Sequence, residues 1–200
     1  MNVRKATLQF KVSLRGISPK IWRRIEVPAA YSFWDLHVAI QDSMGWSDYH
    51  LHEFLARNRE TGETNEIGIP DDEGLYDADM LPGWETPISI YFTKRGDRAQ
   101  YLYDFGDGWQ HDIVLEKISQ RLPKTKYPRC LGGARACPPE DCGGTGGYGR
   151  LLGIISDAAH EEYESMVEWL DGGYDPEAFD PSAVQFDRPR KRWEMAFLDD

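Results

Sequence analysis

No segment of the 200-residue chain approaches the ~18 consecutive apolar residues of a membrane-spanning helix. The opening Met1-Asn2-Val3-Arg4-Lys5-Ala6-Thr7 also lacks the apolar stretch of a secretory signal. Cysteine is scarce: three residues, an odd number that cannot close a disulfide framework and that suits a reducing compartment. Basic side chains are outnumbered, 23 Lys and Arg against 34 Asp and Glu, for a net charge of -11. That balance excludes a sequence-blind DNA-coating role, which needs surface that neutralises phosphates. Internal repeats and low-complexity linkers are missing as well. These absences predict a soluble, cytoplasmic, single-domain chain long enough to bury its own core.

The charge that is present is unevenly placed. Residues 1–27 hold seven basic side chains and one acid, whereas residues 60–93 and 151–187 hold nine and ten acids with no Lys or Arg. The ordinary reading of such windows is solvated faces that maintain solubility. The sharper reading is a basic first hairpin and acidic flanks that serve protein partners through local field. Arg15, Lys20, Arg23 and Arg24 are the residues through which a nucleic acid could be met.

Periodicity predicts an α+β fold. Leu8, Phe10, Val12 and Leu14 alternate with polar residues, as a half-buried strand does. A turn at Gly16-Ile17-Ser18-Pro19 leads to a second strand over 21–27. Ser32 with Asp35 is a capping-box variant, Phe33, Leu36, Ile40 and Met44 share one helical face, and Gly45 can stop the helix. A strand over 50–57 follows, so the N-terminal half reads strand, strand, helix, strand, like the opening of a β-grasp. Next come an acidic excursion over 60–87 with a short strand at 66–69, and strands over 88–92, 100–105 and 109–118. Asp107-Gly108 joins the last two as a tight hairpin. Helices over 150–155 and 158–170 and an irregular tail from Asp175 complete a mixed or antiparallel sheet with C-terminal helices.

Cys130, Cys137 and Cys142 fall within thirteen residues, among Gly and Pro that let a loop wind round an ion. Three thiolates and one imidazole form a closed structural zinc set, and His111 is the first choice for the fourth ligand. The C-x6-C-x4-C spacing is not a paired zinc knuckle, so three quiet thiols are the competing reading. With a two-residue hairpin loop, His111 would pair across the ladder with Asp104, whose carboxylate could fix the imidazole tautomer. A one-residue change of register would undo that pairing. His50 and His52, two apart on a strand, would share a face and could join Asp104 and His111 around an open metal site of hydrolytic type. His37 sits on the apolar helix stripe and reads as a core histidine.

Gly144-Thr145-Gly146-Gly147-Tyr148-Gly149 matches G-x-G-x-x-G, but no strand precedes it, so it reads as a structural lead into a helix. Seven Trp and the aromatic run Tyr101, Tyr103, Phe105 could stack nucleic-acid bases, yet neighbouring Asp104, Asp107 and Asp112 would repel phosphate. Core packing accounts for them better.

Several segments together carry a resemblance to a known family. They are Ile21-Trp22-Arg23-Arg24-Ile25-Glu26-Val27-Pro28, Met44-Gly45-Trp46 and His50-Leu51-His52-Glu53-Phe54 in the first half. Tyr103-Asp104-Phe105-Gly106-Asp107-Gly108-Trp109-Gln110-His111 and Cys137-Pro138-Pro139-Glu140-Asp141-Cys142-Gly143-Gly144 follow. Gly147-Tyr148 and Tyr174-Asp175-Pro176-Glu177-Ala178-Phe179-Asp180 complete the match, and the tail from Val184 departs from it. The family these segments together resemble is that of the plasmid pRiA4b ORF-3-like proteins; the resemblance implies one α+β domain linked to mobile genetic elements and brings no established activity. The resolvase label carried by some members finds no support here: neither a serine nor a tyrosine recombinase constellation can be placed. The expectation is therefore a binding or accessory module, with the metal-assisted hydrolase and the DNA-transaction accessory as alternatives.

Overall fold

A computed structural model describes residues 2–70 and 80–198. The middle of the acidic excursion expected over 60–87 lies outside the described residues. The strands are β1 (Ala6–Leu14), β2 (Trp22–Pro28), β3 (His52–Arg57), β4 (Thr64–Gly68), β5 (Leu81–Pro82), β6 (Arg98–Tyr103), β7 (Trp109–Gln120) and β8 (Arg129–Ala134). The helices are α1 (Phe33–Met44), α2 (Gly144–Ile155), α3 (Tyr163–Trp169) and α4 (Pro189–Phe197). All eight strands join one sheet in the order β5-β4-β3-β6-β7-β1-β2-β8. Only β4 and β5 run parallel, which makes the sheet mixed. This is the expected α+β architecture, with strand-strand-helix-strand at the N-terminus and the β6/β7 hairpin at its centre.

Local chemistry explains the first half. On β1, Leu8, Phe10 and Val12 are wholly buried and the residues between them are not, because one face of the strand meets the core. Ser32 Oγ accepts from Asp35 N–H while the Asp35 carboxylate accepts from Ser32 N–H, so two orphan donors of α1 are satisfied reciprocally. Gly45 ends α1 at φ 94°, a conformation that costs a side-chain-bearing residue energy. The stripe Phe33, Leu36, Ile40 and Met44 then lies in the core, where Phe33 meets Phe54 edge-on at 5.0 Å. The opposite face of the sheet is open and carries Arg15–Asp112 and Arg24–Glu116 ion pairs.

Four expectations change. The apolar run 88–92 is a 3-10 turn over Ile88–Ile90, not a strand; Pro87 leads into it, and short apolar runs do not fix their own period. The cysteine region, expected as loop, begins with β8, which pairs with β2. Gly133 permits that close approach, since a Cβ there would stand 2.7 Å from the Trp22 carbonyl oxygen of β2. The helix expected from 150 begins at Gly144, so the glycine-rich patch is helical, and that expected over 158–170 shortens to α3. The tail is not wholly irregular: Pro189 opens α4, a position where its missing N–H costs nothing. No helix among the described residues is long and apolar enough to cross a membrane.

Candidate functional site

The central hairpin turns differently from expectation. Tyr103 pairs with Trp109 and Tyr101 with His111, leaving residues 104–108 as a five-residue connection. Asp104 is therefore not opposite His111 but opens the loop, at φ 57°. Its Oδ1 accepts from Gly106 N–H at 2.9 Å and Asp107 N–H at 3.2 Å, a side-chain turn typical of aspartate. Register alone separates the two residues: the inward face of β7 carries His111 into the core, against Trp46 and Tyr101. Neither nitrogen of this fully buried imidazole has a hydrogen-bond partner among the described residues. Burial, only partly offset by the Tyr101 and Trp109 backbone and by Asp112, brings its pKa down to about 4.

His50 and His52 also part company. The strand begins at His52, and His50 lies in the bend before it, so they do not share a strand face. His52 turns inward and stacks on His37, ring centroids 3.5 Å apart and planes within 8°. Desolvation, then neighbouring His37, holds His52 well below the ordinary histidine range. His50 stays at the surface, its Nε2 3.7 Å from Asp104 Oδ2 and 3.2 Å from Asp141 Oδ1. Of the four residues expected around an open metal site, the structure brings together His50 and Asp104 and adds Asp141. His52 and His111 belong to the interior.

The proposed zinc set is dispersed. Among the described residues, no three of Cys130, Cys137, Cys142 and His111 place ligand atoms within 4.8 Å of one another. Cys130 stands on β8 with its thiol against the Gly132 carbonyl, and Cys137 is sunk against the core. Cys142 leads into α2, while His111 is committed to the core face of β7. All three cysteines are unbridged, and burial raises each thiol, that of Cys142 to about 12. Such thiols are protonated at neutral pH and are poor nucleophiles.

A second arrangement was not visible in the sequence. Gln41 Nε2 donates to Tyr101 Oη, which lies 2.8 Å from His37 Nδ1, and His37 Nε2 lies 2.8 Å from Asp48 Oδ1. A hydroxyl that accepts from Gln41 has its own proton left for Nδ1, so Nε2 carries the ring proton toward Asp48. Asp48 in turn faces Arg192, which donates at 2.6 Å to both Asp42 and Asp187. This chain ties α4 to α1 and to the bend before β3. Between them opens a groove of about 780 Å³, lined by Trp34, Tyr49, Leu51, Lys191, Met195 and Phe197 among others. Tyr49 is 83%, Leu51 52% and Met195 58% exposed.

The basic first hairpin does not present a free cationic face. Arg15 is bound to Asp112 and Arg24 to Glu116, and Arg23 is buried. Among the described residues, Lys20 alone of the four is neither paired nor buried.

Fold and site thus define a single-domain α+β protein with a surface groove and a histidine–carboxylate cluster beside it. The plasmid pRiA4b ORF-3-like protein family matches residues 6–183, and the chain belongs to it. It is 34% identical over 189 residues to the uncharacterized protein y4hQ of Sinorhizobium fredii, covering 93% of this chain and 90% of that one. It is also similar to the crystal structure of MM3350, a protein of unknown function from Methanosarcina mazei Go1. There the TM-score is 0.84 at 46% identity, over 91% of this chain and 99% of that one.

Proposed function

We propose that the protein is a binding module whose groove between α4 and residues 47–52 accepts an acidic, apolar-anchored segment of a protein partner. The observation that carries this reading is the groove's own surface. Tyr49, Leu51, Met195 and Phe197 are large apolar side chains left in solvent around one concavity. Aromatic and Met side chains of this kind supply the anchors of protein interfaces. Arg188 and Lys191 line the same groove and make no ion pair among the described residues, on a protein whose net charge is -11. An acidic partner is drawn to these two cations, whereas the groove's own acids Asp48 and Asp187 face Arg192. The hydrogen-bonded links from Gln41 Nε2 through Tyr101, His37 and Asp48 to Arg192 hold the groove's floor in one geometry, which lowers the ordering cost of binding.

The test is selection from a random displayed-peptide library on the full chain. Enriched peptides are expected to carry acids beside an aromatic or long aliphatic residue. The pair Arg188→Glu and Lys191→Glu should weaken them by roughly tenfold or more, as two charge reversals at ~0.5–1 kcal/mol per altered contact imply. No enrichment, or equal affinity for the doubly reversed variant, overturns the reading.

A further inference from the structure

We infer that His50, Asp104 and Asp141 form a site for a divalent first-row transition cation, with His50 Nε2 and one oxygen from each carboxylate as ligands. Three observations converge on it. The first is distance. Ligand atoms ~2.1 Å from one ion, at tetrahedral or octahedral angles, stand ~3.0–3.4 Å apart. His50 Nε2 is 3.2 Å from Asp141 Oδ1 and 3.7 Å from Asp104 Oδ2, and the three ligand atoms lie within 4.8 Å of one another. The Asp141 side chain is 73% exposed, so no packing holds it away from the other two ligands.

The second is unfilled bonding capacity. Asp104 has a side chain only 10% exposed; the loop uses its Oδ1, and Oδ2 faces His50 without a hydrogen-bond donor among the described residues. His50 Nε2 is itself shielded from solvent and makes no hydrogen bond, although two carboxylates stand beside it. With the ring proton on Nδ1, His50 Nε2 offers its lone pair beside that carboxylate oxygen, and a cation would bind both.

The third is charge. Asp104, Asp107 and Asp141 gather here, and no Arg or Lys pairs with any of them among the described residues. The two loops are nevertheless fastened together, since Gly143 N–H donates to Asp107 Oδ2 at 3.1 Å. The fold thus holds two acidic loops in contact with the His50 imidazole, and no Arg or Lys, against their carboxylates among the described residues. A mixed N/O donor set favours a transition ion over Mg²⁺ or Ca²⁺, which prefer oxygen alone. Three protein ligands leave positions open to solvent.

The probe is Mn²⁺ on the full chain, followed by the loss of the free-ion electron paramagnetic resonance signal. Mn²⁺ favours oxygen and nitrogen over thiolate, so the cysteines do not compete. One ion per chain is expected. Asp141→Asn and His50→Gln should each weaken binding by at least the roughly 10- to 100-fold that loss of outer partners alone produces. Asp141 is 73% exposed, so its replacement leaves the fold intact, which the thermal midpoint checks. Cys142→Ser should bind as the native chain does. No binding up to millimolar Mn²⁺, or equal affinity in the native chain and the Asp141→Asn variant, overturns the site. The readout uses no groove ligand, so it stands or fails separately from the peptide reading.

Discussion

Arg23→Ala should lower the unfolding free energy by about 3 kcal/mol, moving the thermal midpoint down by roughly 6–12 °C. The guanidinium is 1% exposed, and no carboxylate pairs with it among the described residues. It is instead surrounded by carbonyls. Nε donates to Ser43 at 2.7 Å, and one terminal nitrogen donates to Trp22 at 2.9 Å and Ala134 at 3.1 Å. The plane lies 3.7 Å from the Phe179 ring centre. One side chain therefore joins the end of α1, β2, β8 and the C-terminal segment. Ser43 belongs to the last turn of α1, whose carbonyls have no partner within the helix. Each buried carbonyl left bare costs about 1–3 kcal/mol, and the guanidinium's own desolvation cost, which the variant escapes, offsets part of the sum. Arg23→Lys should recover a fraction only, because a single ammonium cannot serve three acceptors in a fixed fork. Urea unfolding with unchanged slope measures the difference, and a midpoint within error of the native chain would remove Arg23 from this role.

The same residue shows where the sequence was legible and where it was not. Arg23 read as part of a basic strand face because alternation says which residues share a face, not what covers that face. Features written in adjacent residues came through: the alternation of β1, the cap Ser32–Asp35, the stop at Gly45. Those set by pairing did not. Whether His111 met Asp104 depended on loop length, and a five-residue connection moved the imidazole opposite Tyr101. His50 and His52 read as a pair on the assumption that both belong to the strand, and the strand starts two residues later, at His52. α4 is not legible because its apolar residues Trp193, Met195, Ala196 and Phe197 all fall in its last five positions, and Pro189 reads as a breaker before it reads as a helix start. Asp141 carried a signal only in hindsight: an acid between a Pro pair and a glycine pair, beside Cys142, in a segment where cysteine drew the attention. It reaches His50 through tertiary contact, which no spacing along the chain encodes.

His111 makes the protein acid-sensitive in a defined window. Its folded pKa is about 4 against an ordinary value near 6.5, so the unfolded chain binds the proton more readily. A group depressed in this way costs no stability above the unfolded pKa. As pH falls below 6.5, stability drops by about 1.4 kcal/mol per unit until the folded pKa is reached. Between pH 6.5 and 5 the loss from His111 is about 2 kcal/mol. His52, depressed for the same reason, acts with the same sign. Asp35, Asp42 and Glu53 oppose it: burial raises their folded pKa values, so they favour the folded state as they take up protons at lower pH. The comparison that isolates His111 is the slope of unfolding free energy against pH in the native chain and in His111→Phe. The phenylalanine has nothing to titrate, and it also removes two buried nitrogens that have no partner. Its level of stability at pH 7.5 depends on how the larger ring packs against Trp46 and Tyr101, but its slope does not. The variant should lose about 1.4 kcal/mol less per pH unit between 6.5 and 5. Equal slopes would mean that the imidazole accepts a proton in the folded state as readily as in the unfolded one, through a partner that its buried position against Trp46 and Tyr101 does not supply.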